Sequence, residues 1–135
     1  MNKVSSNDDD SNSYSLPFEK LNVWHEAKTY IMAVYSVCKH FPAEEKYGLG
    51  SQLTRAAVSI ASNIAEGTSR TSYKDQAHFT QLAYGSLMET ACQAIIAQEL
   101  GFMSQSEYVT IRKSINSLAN KLNSLRKYQL RQSNQ

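Results

Sequence analysis

The chain contains three histidines and two cysteines, and their spacing supports neither metal nor covalent chemistry. His25, His40 and His78 fall on different segments, and none has a second histidine four residues on, the spacing that puts two imidazoles on one helix face. There is no Cys-x-x-Cys pair. Cys38 and Cys92 sit far apart in apolar surroundings, as small buried hydrophobes of a reducing compartment do. Cys38 and His40 lie two positions apart, so on a helix they point about 200° away from each other. Glu-x-x-His, the inward-facing pair of bundles that hold two metals, does not occur. Neither does a Gly-x-Ser-x-Gly elbow, a phosphate-binding loop or a dinucleotide fingerprint. The one Gly-x-Gly, in Tyr47-Gly48-Leu49-Gly50, has no strand before it and reads as a loosened helix start. The expectation is a protein that is not an enzyme and holds no cofactor or metal.

Two polar arrangements remain. Gln52, Arg55, Ser59, Asn63 and Glu66 recur every three or four residues and make one polar stripe along a helix. Glu89 follows Gly85-Ser86 inside an apolar stretch, where a carboxylate is costly unless paired. The expectation is a polar network of Arg55, Ser59, Asn63, Glu66 and Glu89, in which Glu89 pairs with Arg55. Such a network fixes helix register more than it adds stability. The alternative reading of the same residues is a ligand or subunit contact site.

The second arrangement is basic. From residue 108 onward the chain carries Arg112, Lys113, Lys121, Arg126, Lys127 and Arg131 and no acid, whereas acids outnumber bases before it. On a helical wheel Lys113, Lys127 and Arg131 lie opposite the apolar stripe, and Arg112, Lys121 and Arg126 flank it. One reading is a solvated face. The other is an electrostatic footprint for the phosphates of RNA or DNA. A merely solvated face usually mixes signs, and this one does not. Tyr128 stands beside the bases and could stack on an unpaired base.

The elements that must position these residues are helices. The chain has 135 residues, 41% of them apolar and 19% charged, with a net charge of +2, which suits one globular domain. Only 5 glycines and 2 prolines are present, so long elements with short connections are expected. Residues 1–16 are polar and low in complexity and are expected to be a disordered tail. A bundle is expected over 17–130, with 131–135 frayed and fraying reaching back to 129. The first helix is predicted over 23–40, with Asn22 as N-cap and Pro42 beyond its end. The second is predicted over 44–66, stopped by Gly67, its first turn loosened by Gly48 and Gly50. The third runs from a Ser72 cap to about residue 100, stopped by Gly101. Apolar residues surround it almost completely, which predicts burial on several sides. The fourth opens on the capping box Ser104-Gln105-Ser106-Glu107, and Ile111, Ile115, Leu118, Leu122 and Leu125 follow in heptad steps. The fold class is therefore all-α, an antiparallel up-down-up-down four-helix bundle. No secretory segment and no long apolar window is present, so a bacterial-type cytoplasm and no membrane span are expected.

The motifs Phe18-Glu19-Lys20-Leu21-Asn22-Val23-Trp24, Phe41-Pro42, Tyr47-Gly48-Leu49 and the run from Gln52 through Arg55-Ala56-Ala57-Val58-Ser59-Ile60 and Asn63-Ile64-Ala65-Glu66-Gly67 resemble the bacterial four-helix-bundle proteins encoded in 23S ribosomal RNA intervening sequences. Phe79 through Glu89 continues the similarity, which covers about residues 17–127. The resemblance implies a ring-shaped homopentamer of four-helix bundles. Related bundles are accessory proteins of diversity-generating retroelements and bind nucleic acid and a reverse transcriptase through basic surfaces. The acidic N-terminal tail and the modest overall charge depart from that pattern. Two functions follow as expectations: a nucleic-acid-binding oligomer, or a scaffold that docks a protein partner.

Overall fold

A computed structural model describes residues 15–134, which form four α-helices and, among the described residues, no strand. The helices are α1 (Asn22–Cys38), α2 (Leu49–Thr68), α3 (Tyr73–Glu99) and α4 (Gln105–Ser133), with short 3-10 turns at Pro17–Lys20 and Ala43–Glu45. The tail expected over 1–16 lies, as far as residue 14, outside the described residues; Leu16 is extended backbone.

Local chemistry explains three of the helix ends. The Ser104 hydroxyl accepts from the Glu107 N–H at 3.1 Å while the Glu107 carboxylate accepts from the Ser104 N–H at 2.9 Å, the reciprocal box expected for α4. Ser72 caps α3 through the Asp75 N–H. Gly101 closes α3 with φ +81°, the Phe102 N–H reaching the Ala97 carbonyl and the Gly101 N–H the Gln98 carbonyl. A side chain at that φ is strained, although open space surrounds the position. Gly101→Ala is therefore expected to lower stability by about 1 kcal/mol, read by urea unfolding.

Several helix ends differ from expectation. Leu21, not Asn22, precedes the first helical residue, because half-buried Leu21 is fixed in extended backbone after the 3-10 turn and its carbonyl accepts the first helical bonds. α2 starts at Leu49 rather than 44. The Glu45 carboxylate folds over the turn to accept the Leu49 N–H at 3.0 Å, and a Cβ on Gly48 would stand 2.7 Å from that carboxylate. Gly67 does not stop α2. It is buried inside the helix because a Cβ there would lie 3.1 Å from the Cβ of Phe79, so the glycine serves the close approach of α2 and α3. α4 also outlasts the expected fraying at 129–135. Buried Gln129 accepts from the Thr80 hydroxyl at 2.7 Å and holds the helix to Ser133.

The helices pack in sequence, α1 on α2, α2 on α3 and α3 on α4, and α4 returns to α1. α2–α3 and α3–α4 are the most extensive contacts. Small residues at the seams, Ala56, Ala57, Ala83 and Ala94, let these backbones come close. Ala27, Tyr30, Leu53, Ile60, Leu87, Leu118 and Leu122 fill the centre. The Tyr30 hydroxyl and that of Thr90 share a 2.8 Å hydrogen bond across the core, and burial pushes the Tyr30 phenol up to about 12. α3 is not buried on all sides within one chain. Leu82, Met88, Ile95 and Ile96 stay 37–43% exposed, and Leu100 just past its end is 59% exposed, since α2 and α4 cover only part of its circumference.

Candidate functional site

The basic residues of α4 divide into two groups. Lys121 turns toward α1 and forms an ion pair with Glu26, whose other oxygen accepts from Ser117. Burial works against the Glu26 charge, but Lys121 and Ser117 outweigh it and hold the carboxyl below its ordinary range. Arg126 is half-buried and donates to the Gln81 side chain of α3 at 3.3 Å. These two cations tie α4 to its neighbours. Lys113, Lys127 and Arg131 are exposed and, among the described residues, have no carboxylate partner within ion-pair distance, and neither has Arg112, whose guanidinium donates to the Tyr108 hydroxyl at 2.8 Å. At 1.5 Å per residue Lys113 and Arg131 stand about 27 Å apart along the helix. The free face of α4 is thus a long cationic strip with Tyr128 beside it. Tyr128 is 45% exposed and meets the Tyr73 ring edge-on, so part of it packs and part faces water.

The polar stripe of α2 meets α3 in a cleft of about 380 Å³ lined by Gln52, Arg55, Ala56, Ser59, Ser86 and Glu89. Ser59 and Asn63 form the expected cluster: Asn63 donates to the Ser59 carbonyl and hydroxyl, and Ser59 bonds Ser86 at 2.8 Å. Spacing does not single out Ser86; its partner lies 27 positions away, and nothing local marks it. The Arg55–Glu89 pair is absent. Both side chains are exposed at the mouth of the cleft, and Glu89 instead accepts from Gln93 at 3.2 Å. The premise that α3 is enclosed at this point fails, so Glu89 keeps its water and needs no counter-ion. Glu66 also leaves the cluster and pairs with Arg70 at 2.9 Å, an exposed contact worth little. Glu89→Gln is accordingly expected to change stability by less than about 0.5 kcal/mol in thermal melts; a loss above about 1.5 kcal/mol would restore the buried pair.

Chemistry beyond binding finds few groups. Burial pushes the Cys38 thiol up to about 11, so it is a protonated, poorly nucleophilic sulfur at neutral pH. Backbone and side-chain hydrogen bonds from Ser104 hold the Glu107 carboxyl below its ordinary range, which serves the α4 cap. Among the described residues no group of three His, Cys, Asp or Glu side chains converges as metal ligands do, and no helix is long and apolar enough to cross a membrane.

No curated protein matches the chain. A solved structure of a protein of unknown function from the S23 ribosomal protein family of Bacteroides thetaiotaomicron superposes with a TM-score of 0.72, covering 78% of this chain and 98% of that one at 20% identity, a likeness that speaks for the fold. The family model for the 23S rRNA-intervening sequence protein matches residues 19–124. With that match spanning most of the residues that build the four helices, the chain belongs to the 23S rRNA-intervening sequence protein family.

Proposed function

We propose that this protein is a non-enzymatic, homo-oligomeric cytoplasmic bundle that binds RNA or DNA through the outer face of α4. The observation that carries the reading is the acid-free strip of Lys113, Lys127 and Arg131, with Arg112 beside it, none paired with a carboxylate among the described residues. Phosphates are the partners such a strip fits, and their binding releases counterions.

The helices run up-down-up-down in this reading. Its supports are paired contacts along three of the four seams, each pair running in antiparallel order. Glu26 meets Lys121 while His40 meets Glu107. Gln81 meets Arg126 while Gln98 meets Gln105. Ser59 meets Ser86 while Gly67 abuts Phe79. The exposed apolar residues of α3 support self-association, because large apolar side chains gathered on one helix are what a second copy would cover. The family resemblance supports a homopentamer, which would repeat the α4 strip around a ring and make weak contacts useful together.

The test is fluorescence anisotropy with labelled single-stranded RNA and DNA across a salt series. Affinity is expected to fall with salt at a slope of about −2 to −3 per chain, set by three or four neutralised phosphates. A flat salt dependence, or no binding at low salt, would overturn the reading.

A protein-docking scaffold is the second reading. It is favoured by the loss of Lys121 and Arg126 to contacts within the chain, which thins the cationic face. A protein captured in stoichiometric amount after nuclease treatment, with no salt-dependent nucleic-acid binding, would favour it over the first.

A further inference from the structure

We propose that the cleft between the end of α1 and the start of α2 binds a small aromatic carboxylate. The cleft has a volume of about 620 Å³, within the range of small-molecule sites. None of its lining residues lies on α3 or α4, so it is separate from the basic strip. Its apolar wall includes Phe41, which is buried, and Pro42, which is half-buried. Two tyrosines line it as well, Tyr35 at 48% exposure and Tyr47 at 87%. Tyr47 covers almost nothing within the chain, so its ring contributes little to the fold, and the face turned from Lys46 is the one a ligand would stack on.

The charges are one-sided. Lys39 and Lys46 both line the cleft, no acidic side chain does, and neither lysine has an ion-pair partner among the described residues. The Lys46 ammonium stands over one face of the Tyr47 ring, 5.6 Å from its centre, which keeps a cation next to a ligand stacked on the other face. The nearby Glu45 carboxylate is turned away into the α2 cap, bonded to the Leu49 N–H. A cationic ligand would be repelled, and a neutral one would leave both ammonium groups unmatched. An aromatic body with one carboxylate satisfies wall and rim together.

Calorimetric titration with 2-naphthoate, and with the neutral isostere 2-naphthamide, tests this on the full chain. Naphthoate is expected to bind about tenfold tighter than naphthamide, the worth of solvent-screened pairing to the two lysines. Lys39→Gln/Lys46→Gln is expected to erase the difference. Tyr47→Ala is expected to weaken both ligands about equally. Each replaces an exposed side chain, and an unchanged thermal melt verifies the fold. Lys113→Gln/Lys127→Gln/Arg131→Gln is expected to leave naphthoate binding unchanged, which separates this site from the α4 strip. No naphthoate binding, equal affinity for both ligands, or loss of binding in the α4 variant would overturn the proposal.

Discussion

Replacing Lys113, Lys127 and Arg131 together by glutamine is expected to lower affinity for a single-stranded oligonucleotide about hundredfold or more at low salt. Counterion release sets the size of the loss. Each phosphate neutralised contributes a slope of about −0.7 on a single strand, so three contacts contribute about 2 to the slope. Between about 1 M salt, where the term vanishes, and about 50 mM, that slope amounts to between two and three decades in affinity. The remaining slope should shrink toward that of Arg112 alone. The fold should survive, because all three side chains are exposed and make no ion pair among the described residues. Lys121→Gln is the informative contrast. Its ammonium belongs to Glu26, so the change should cost stability by stranding a half-buried carboxylate while leaving the salt slope nearly intact. Anisotropy at several salt concentrations reads the first effect and thermal melts the second.

Leu118→Ala carries the largest expected cost in stability, about 3–4 kcal/mol. Leu118 sits on α4 with no exposed surface and belongs to the packed cluster that joins all four helices. Truncation removes the transfer free energy of the lost carbons and leaves a cavity that four packed helices cannot close. For a domain of this size that corresponds to a fall in Tm of roughly 10–15 °C, measured at fixed protein concentration since association would itself shift Tm. Met32→Ala is the control, because Met32 is 68% exposed and its loss should move stability by less than about 0.5 kcal/mol. Equal losses at the two positions would mean that the core is elsewhere.

The parts of the fold that are local in sequence are legible from the residues alone. The α4 heptad, its Ser104/Glu107 box, the Ser72 cap and the Gly101 stop each depend on residues within a few positions of one another. Features decided by distant partners are not. Gly67 looks like a helix stop until Phe79 is found against it, and Gly48 looks like a loose start until Glu45 is found capping the next N–H. Gln129 reads as a frayed polar residue until Thr80 buries with it.

The candidate site divides along the same line. Wheel geometry places Lys113, Lys127 and Arg131 opposite the core stripe of α4, and they are exposed. It cannot say that Glu26 takes Lys121 or that Gln81 takes Arg126, since those partners lie on α1 and α3. The Arg55–Glu89 pairing assumes that the apolar run around Glu89 is enclosed by its own chain. Periodicity reports that a face is apolar and not which molecule covers it. Leu82, Ile96 and Leu100 remain open in the single chain for this reason, and in the proposed oligomer a second copy supplies the burial expected around α3.

Light scattering on the purified chain at micromolar concentration tests that oligomer most directly. A uniform particle with the mass of several chains, five by the family resemblance, is the predicted result. A monodisperse single chain would contradict it, leaving the apolar surface of α3 without a covering copy and the strip of α4 unrepeated.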